Sequence, residues 1–176
     1  MPKRIAVLIA DIFEDMEAMY PIFRLREAGF EVVTIGLEAG KTYTSKHQYP
    51  LTSDAGPKAA KAADFDGVYI PGGYAPDKFR RDKDLVQFVA DMDKAGKMIG
   101  SICHGPWMLC EADVLRGKNF TSVGAIRRDC ENAGGTYHDQ AVVQDGHLFT
   151  SRTPPDLPAQ MRAILKWFGV DSPQVN

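Results

Sequence analysis

Apolar residues fall along this chain in short unbroken runs, separated by stretches with helical spacing. The first run, within residues 3–10, reads Ile5-Ala6-Val7-Leu8-Ile9-Ala10, without polar alternation. That pattern predicts a parallel strand covered on both faces. An acidic turn follows over 11–15. Met16, Met19, Tyr20, Phe23 and Leu25 then predict a helix over 16–28, with Gly29 as its stop. Pro21 lies inside it, so a kink or a late start is expected.

A β-branched run predicts a second strand over 30–35, and the polar stretch 37–54 a small hairpin excursion. A short helix over 57–63 and a strand over 66–70 follow. Leu85, Phe88, Val89 and Met92 predict an amphipathic helix over 84–95, ended by Gly96. A strand stops near Ile102, and Trp107 to Ala112 favour a helix. Another strand is expected over 118–122 and another helix over 126–133. Strands 141–144 and 147–151 flank Asp145-Gly146, a two-residue hairpin signal. A final helix is expected over 158–168. Alternating strands and helices predict an α/β fold, a sandwich around a parallel sheet with right-handed crossovers.

The chain has 176 residues, which suits a single domain over 1–176 with both sheet faces covered. Its net charge of −2 gives no electrostatic basis for a nucleic-acid platform. Arg80-Arg81 and Arg127-Arg128 are each followed by Asp and read as solvated helix surface. No run approaches the roughly 20 apolar residues that cross a bilayer, and residues 5–10 lead into Asp11 without a cleavage pattern. No membrane association is expected. Three cysteines, at 103, 110 and 130, form neither a CxxC pair nor an even disulfide set. That usage fits a reducing, cytoplasmic setting.

The chemistry concentrates in Ser101-Ile102-Cys103-His104-Gly105-Pro106. A strand that turns abruptly into a helix exposes its turn residue at the sheet's C-terminal edge, the logic of a nucleophile elbow with sulfur in place of a hydroxyl. Helix N–H groups and the helix dipole there are expected to lower the thiol pKa. A buried structural cysteine, the alternative, needs no such surroundings. His104 can take or hold the thiol proton at a sharp turn. Cys110 and Cys130 read as core or structural cysteines.

Asp11, Glu14, Asp15 and Glu17 cluster after the first strand, and residue spacing alone does not separate a site acid from helix-start acids. Gly72 and Gly73, in Pro71-Gly72-Gly73-Tyr74, allow close backbone approach and free N–H groups. With the N–H of His104 they form a candidate oxyanion hole. His138 and His147 build no metal cluster with Cys130, and no metal or cofactor is expected. Arg152 reads as the partner of an acidic neighbour.

These landmarks resemble the PfpI-like intracellular protease family of the ThiJ/PfpI superfamily, relatives of the parkinsonism-associated deglycase. The resemblance covers about residues 3–168. It rests on the cysteine block with Ala10-Asp11-Ile12-Phe13-Glu14-Asp15, Tyr20-Pro21, Pro71-Gly72-Gly73, Ala75-Pro76-Asp77 and Thr150-Ser151-Arg152-Thr153-Pro154. It implies a flavodoxin-like three-layer sandwich with a mostly parallel central sheet, like that of class I glutamine amidotransferases. It also implies self-association as a homodimer or dimer-built hexamer. It selects Glu14, in Phe13-Glu14-Asp15, as the acid at the elbow. It implies that an acid from a partner subunit completes the Cys-His set, at the position of Asp77, where the family often has glutamate. On this chain alone Asp77 reads equally as a helix N-terminal acid. The amidotransferases' own His-x-Glu is missing here, which argues against glutamine hydrolysis.

The expected catalytic set is therefore Cys103, His104, Glu14 and Asp77. The expected function is a cysteine-dependent stress enzyme acting on small reactive carbonyls or glycated adducts, by glyoxalase or deglycase chemistry. An intracellular cysteine peptidase and a non-enzymatic redox sensor or holdase are the alternatives.

Overall fold

The structure, a computed structural model, describes residues 2–170. Strand β1 (Arg4–Leu8) leads into helix α1 (Asp15–Glu27) and strand β2 (Glu31–Ile35). Strands β3 (Thr42–Thr44) and β4 (Pro50–Thr52) pair antiparallel as the expected excursion. Strand β5 (Gly67–Ile70), helices α2 (Ala75–Phe79) and α3 (Lys83–Lys94), strand β6 (Met98–Ile102) and helix α4 (Pro106–Glu111) follow. The remainder is β7 (Asn119–Phe120), α5 (Arg127–Asn132), β8 (Thr136–Tyr137), β9 (Val143–Asp145), β10 (Leu148–Ser151) and α6 (Leu157–Trp167).

The main sheet runs β2-β1-β5-β6-β10-β9, with every pair parallel except the β9 edge. The five parallel strands, taken in chain order, lie as 2-1-3-4-5, the flavodoxin-like winding. Helices α1 and α6 pack together, and α3 packs on β5 and β6. Ile5 to Ala10 are fully buried, as a doubly covered strand requires. The order reverses at β1 and β5, so the C-terminal ends of β1, β5 and β6 border one crevice. Such switch points are where open α/β sheets hold ligands.

The structure departs from the expected pattern in four places. Helix α1 starts at Asp15 and runs through Pro21 without interruption; the proline only removes the bond that the Glu17 carbonyl would accept. Residues 57–63 form two single 3₁₀ turns rather than a helix, because Ala60 and Lys61 are non-helical. The Lys97 ammonium binds the Ala62 and Phe65 carbonyls left over, at 2.5 Å each. The strand expected over 118–122 contracts to β7, which pairs with β8 in its own small sheet. In the late hairpin Leu148 faces Asp145, so the loop is Gly146-His147, one residue beyond the expected Asp145-Gly146. Gly146 has φ +59°, fitting the first loop position of a type II′ turn.

Beneath the crevice lies a buried polar bridge. Gln160 on α6 accepts from the Tyr69 hydroxyl at 2.7 Å and donates to the carbonyls of Ser101 (2.8 Å) and Phe149 (3.2 Å). One amide thus ties β5, β6 and β10 together just before the elbow. Gln160→Ala strands the Tyr69 hydroxyl without water, and is expected to cost about 2–4 kcal/mol in urea unfolding. Tyr69→Phe removes its side of the pair and should cost less.

Candidate active site

Cys103 directly follows β6 with φ +59°, a left-handed conformation unusual for a residue with a Cβ. The turn is pinned on both sides: the Cys103 N–H donates to the Ser151 carbonyl (3.1 Å), and the Val123 N–H to the Cys103 carbonyl (3.3 Å). The Gly105 N–H closes back on the Ile102 carbonyl at 2.7 Å, and α4 starts at Pro106. This is the elbow the sequence predicts. His104 Nδ1 lies 3.3 Å from the sulfur, so neighbouring side chains do meet at this turn.

The strand-end glycines form the opposite wall. Gly73 has φ +71°, and an added Cβ would lie 2.5 Å from both the Ile12 oxygen and the Glu14 nitrogen. No other residue fits there without moving backbone. Ile12 is itself at φ +65°, held by bonds from its N–H to the Thr44 carbonyl (2.7 Å) and from the Tyr74 N–H to its own carbonyl (2.8 Å). The β3–β4 excursion thus braces the turn after β1. Strain at Ile12 and Cys103, two points flanking one crevice, is the usual mark of a working site.

The acid at the sulfur is Glu17, not Glu14. Glu17 is wholly buried on the first turns of α1. Its Oε2 accepts the Gly72 N–H at 2.9 Å and lies beside Cys103: a Cβ added at Gly72 would sit 2.5 Å from that oxygen and 2.7 Å from the Cys103 Cβ. Glu14 precedes the helix, and its carboxylate turns to the Lys46 ammonium at 3.3 Å. The physical reason is helical geometry: Glu17 is one turn further, on the face of α1 that packs inward with Ala18 and Pro21. Gly72 is corrected too, since its N–H holds Glu17 and is not free for substrate. The Gly73 and His104 N–H groups do point at the sulfur.

The electrostatics overturn the expectation of a low thiol pKa. Burial, and then the Glu17 charge, push Cys103 up to about 12, against the lowering effect of the Gly73 and His104 N–H groups. The short helix α4 supplies little: Pro106 has no N–H, and those of Trp107 and Met108 bond the His104 and Gly105 carbonyls. Burial likewise pushes Glu17 up to about 7. Near neutrality the Cys103 thiol therefore holds its proton while Glu17 is at its midpoint, and thiolate forms only when the Glu17 carboxylate takes that proton. Burial lowers the His104 pKa, which keeps the imidazole neutral.

The Tyr74 ring stacks on His104 (centroids 6.4 Å apart), and Trp107 meets it edge-on at 5.0 Å. No carboxylate contacts the His104 ring among the described residues. Asp77 lies on α2, where it pairs with Arg81 (2.5 Å) and Arg80 (3.8 Å) of its own chain. Arg127 and Arg128 pair with Glu131, and Arg152 with Asp139 and Asp156, as surface readings of those residues require. Glu14, Asp15 and His47 bring ligand atoms within 4.8 Å of one another. Glu14 already pairs with Lys46 and Asp15 hydrogen-bonds His47 (2.8 Å), and the three are assigned no metal. No helix among the described residues is long and apolar enough to cross a membrane.

The flavodoxin-like sheet, with a cysteine at its elbow, a buried glutamate and a glycine wall, describes an α/β protein whose crevice is built around one sulfur. Residues 3–167 match the DJ-1/PfpI family, and the chain belongs to it. It is 46% identical over 171 residues to protein/nucleic acid deglycase 2 of Escherichia coli (strain K12), covering 96% of this chain and 99% of that one. It is 44% identical over 165 residues to YraA of Bacillus subtilis (strain 168), whose name proposes a cysteine protease, covering 94% and 98%. A two-domain protein of Anabaena variabilis, with DJ-1/ThiJ/PfpI-like and ferritin-like domains, superposes with TM-score 0.95 at 42% identity. That match covers 98% of this chain but spans only about half, 52%, of the two-domain protein.

The raised Glu17 pKa has a sign that can be tested. Between its ordinary 4.5 and about 7 the folded state binds more protons than the unfolded one, so this group's contribution to stability declines as pH rises through that window. Glu17→Gln removes the decline. It should match wild type near pH 4 and exceed it by on the order of 2–3 kcal/mol at pH 8, measured by urea unfolding. The same variant should lower the pH midpoint of Cys103 alkylation by iodoacetamide, whereas Glu14→Gln should leave it nearly unchanged.

Proposed function

We propose that this chain is a cysteine-dependent enzyme of the deglycase type, acting on small reactive carbonyls or their amine adducts. The observation that carries the reading is the Cys103–Glu17 pair, with the Gly73 and His104 N–H groups directed at the sulfur. A carboxyl pushed up to about 7 can accept and return a proton within one catalytic cycle near neutrality.

With a 2-oxoaldehyde, the Cys103 sulfur attacks the aldehyde carbon while the Gly73 and His104 N–H groups stabilise the developing oxyanion. Oxygen takes a proton and a hemithioacetal forms. Glu17 then removes the proton on that carbon and returns it to the adjacent carbonyl carbon through an enediol. The product is a thioester, and water releases a 2-hydroxy acid and the free thiol. With an aminocarbinol adduct, sulfur displaces the amine first, and the amine leaves with a proton; the later steps are the same. No step draws on a cofactor.

Amide hydrolysis, the reading favoured by the name of YraA, uses the same sulfur but needs an oriented imidazole to protonate a leaving amine. His104 faces the sulfur through Nδ1 and is framed by Tyr74 and Trp107 rather than by a carboxylate. Self-association would supply one. Ile12 and Tyr74 are exposed beside the crevice, joined by the bond from the Tyr74 N–H, and form an apolar patch suited to a second copy. In that assembly, a homodimer or dimer-built hexamer, Asp77 of a neighbouring copy would reach His104. Free thiols suit a reducing, cytoplasmic compartment.

Turnover of methylglyoxal and of methylglyoxal-treated amines, set against an unmodified peptide, separates the two activities. Cys103→Ser should abolish turnover with little change in unfolding midpoint. Retained turnover in that variant overturns the proposal, and peptide cleavage without carbonyl turnover selects the peptidase. Mixing Cys103→Ser with Asp77→Asn subunits should restore part of the activity if the acid comes from a neighbouring copy. No recovery after demonstrated subunit exchange removes Asp77 from the site.

A further inference from the structure

Helices α4 and α5 meet through two sulfur atoms that the proposed chemistry does not use. Cys110 Sγ and Cys130 Sγ lie 3.6 Å apart and are hydrogen-bonded. Trp107, one turn before Cys110, donates from Nε1 to Oδ2 of Asp129, the residue before Cys130, at 2.9 Å, a second bond between the same two helices. Cys110 is partly exposed and Cys130 is fully buried. Cys110 is thus the nearer of the two to solvent.

We propose that Cys110 and Cys130 form a second, peroxide-oxidisable site that closes to a disulfide between α4 and α5, separately from Cys103. The two thiols are suited to different steps. The hydrogen bond with Cys130 lowers the Cys110 pKa, outweighing burial and the Asp129 charge, and Arg80 adds a smaller lowering. The same bond, and then burial, raise that of Cys130, which keeps its proton. Cys110, the less buried of the two, is therefore the attacking sulfur, and the fully buried Cys130 the resolving thiol.

In the first step the Cys110 thiolate attacks the terminal oxygen of a hydroperoxide. The O–O bond breaks, the alkoxide or hydroxide leaves, and Cys110 becomes a sulfenic acid. In the second step the Cys130 sulfur attacks the Cys110 sulfur. The sulfenic oxygen leaves as water with the Cys130 proton, and the S–S bond forms. The two sulfurs together lose two electrons and the peroxide gains them. A disulfide bond needs about 2.05 Å between sulfurs, so the helices must close by roughly 1.5 Å or the side chains rotate. The bond ties the helix carrying Trp107, whose ring lies against His104, to its neighbour.

The test uses the full chain with Cys103→Ser, so that only these two thiols can react. Treatment with a small excess of hydrogen peroxide, then alkylation and peptide mapping, should yield a Cys110–Cys130 cross-linked peptide two hydrogens lighter. Both alkylatable thiols should disappear together and return on reduction with dithiothreitol. In the further variant Cys130→Ser, the resolving sulfur is missing, and Cys110 should gain oxygen atoms instead. The proposal is overturned if Cys110 accumulates sulfinic acid while Cys130 stays alkylatable. It is equally overturned if both thiols stay reduced under conditions that oxidise Cys103 in the wild-type chain. The mapping of the Cys103→Ser protein decides the matter even where Cys130→Ser folds poorly.

Discussion

The site depends on one carboxyl group being kept out of water. Glu17 is buried beside Cys103, with the Gly72 N–H as its fixed partner. Taking a carboxylate out of solvent favours its protonated form, and an adjacent thiol makes the two groups compete for the same negative charge. A sulfur nucleophile that ionised alone would need positive charge nearby, and the opposing influences on Cys103 are the backbone N–H groups of Gly73 and His104. The pair resolves this by moving a proton across a single contact.

That contact exists because the sheet order brings three strand ends together. The turn after β1 delivers Glu17, the end of β5 delivers the glycines, and the end of β6 delivers Cys103. Each chain segment passes through a backbone conformation that costs energy or requires glycine: Ile12, Gly73 and Cys103 all have positive φ. The bonds of Ile12 to Thr44 and Tyr74, and of Cys103 to Ser151 and Val123, hold these turns in place. The β3–β4 excursion and the buried Gln160 bridge act as supports from the two sides.

Much of this was legible in the residues. The unbroken run Ile5 to Ala10 and the β-branched run Val32 to Ile35 placed the parallel strands, and the spacing of Leu85, Phe88, Val89 and Met92 placed α3. Cys103-His104-Gly105-Pro106 placed the elbow. Which acid lies beside the sulfur was not legible: Glu14 stands just before α1 and Glu17 on its inward face, and the motif Phe13-Glu14-Asp15 pointed to the one that turns to Lys46. A buried acid at the fourth residue of Glu14-Asp15-Met16-Glu17, four before Pro21 and beside Ala18, carries an inward-face signal that periodicity could have weighed. The raised pKa of Cys103 was also hidden, because burial is a property of the assembled crevice and Pro106 weakens the helix terminus. The Cys110–Cys130 contact joins two helices twenty residues apart in sequence, and no local pattern announces it.

The most direct measurement is a carbon-13 NMR titration of the Glu17 side-chain carboxyl in the wild-type chain and in Cys103→Ser. The account predicts a wild-type midpoint near 7, with a change in the high-pH limb when the sulfur is removed. A Glu17 that titrates near its ordinary 4.5, with the same curve in both proteins, would contradict the shared proton on which the chemistry is built.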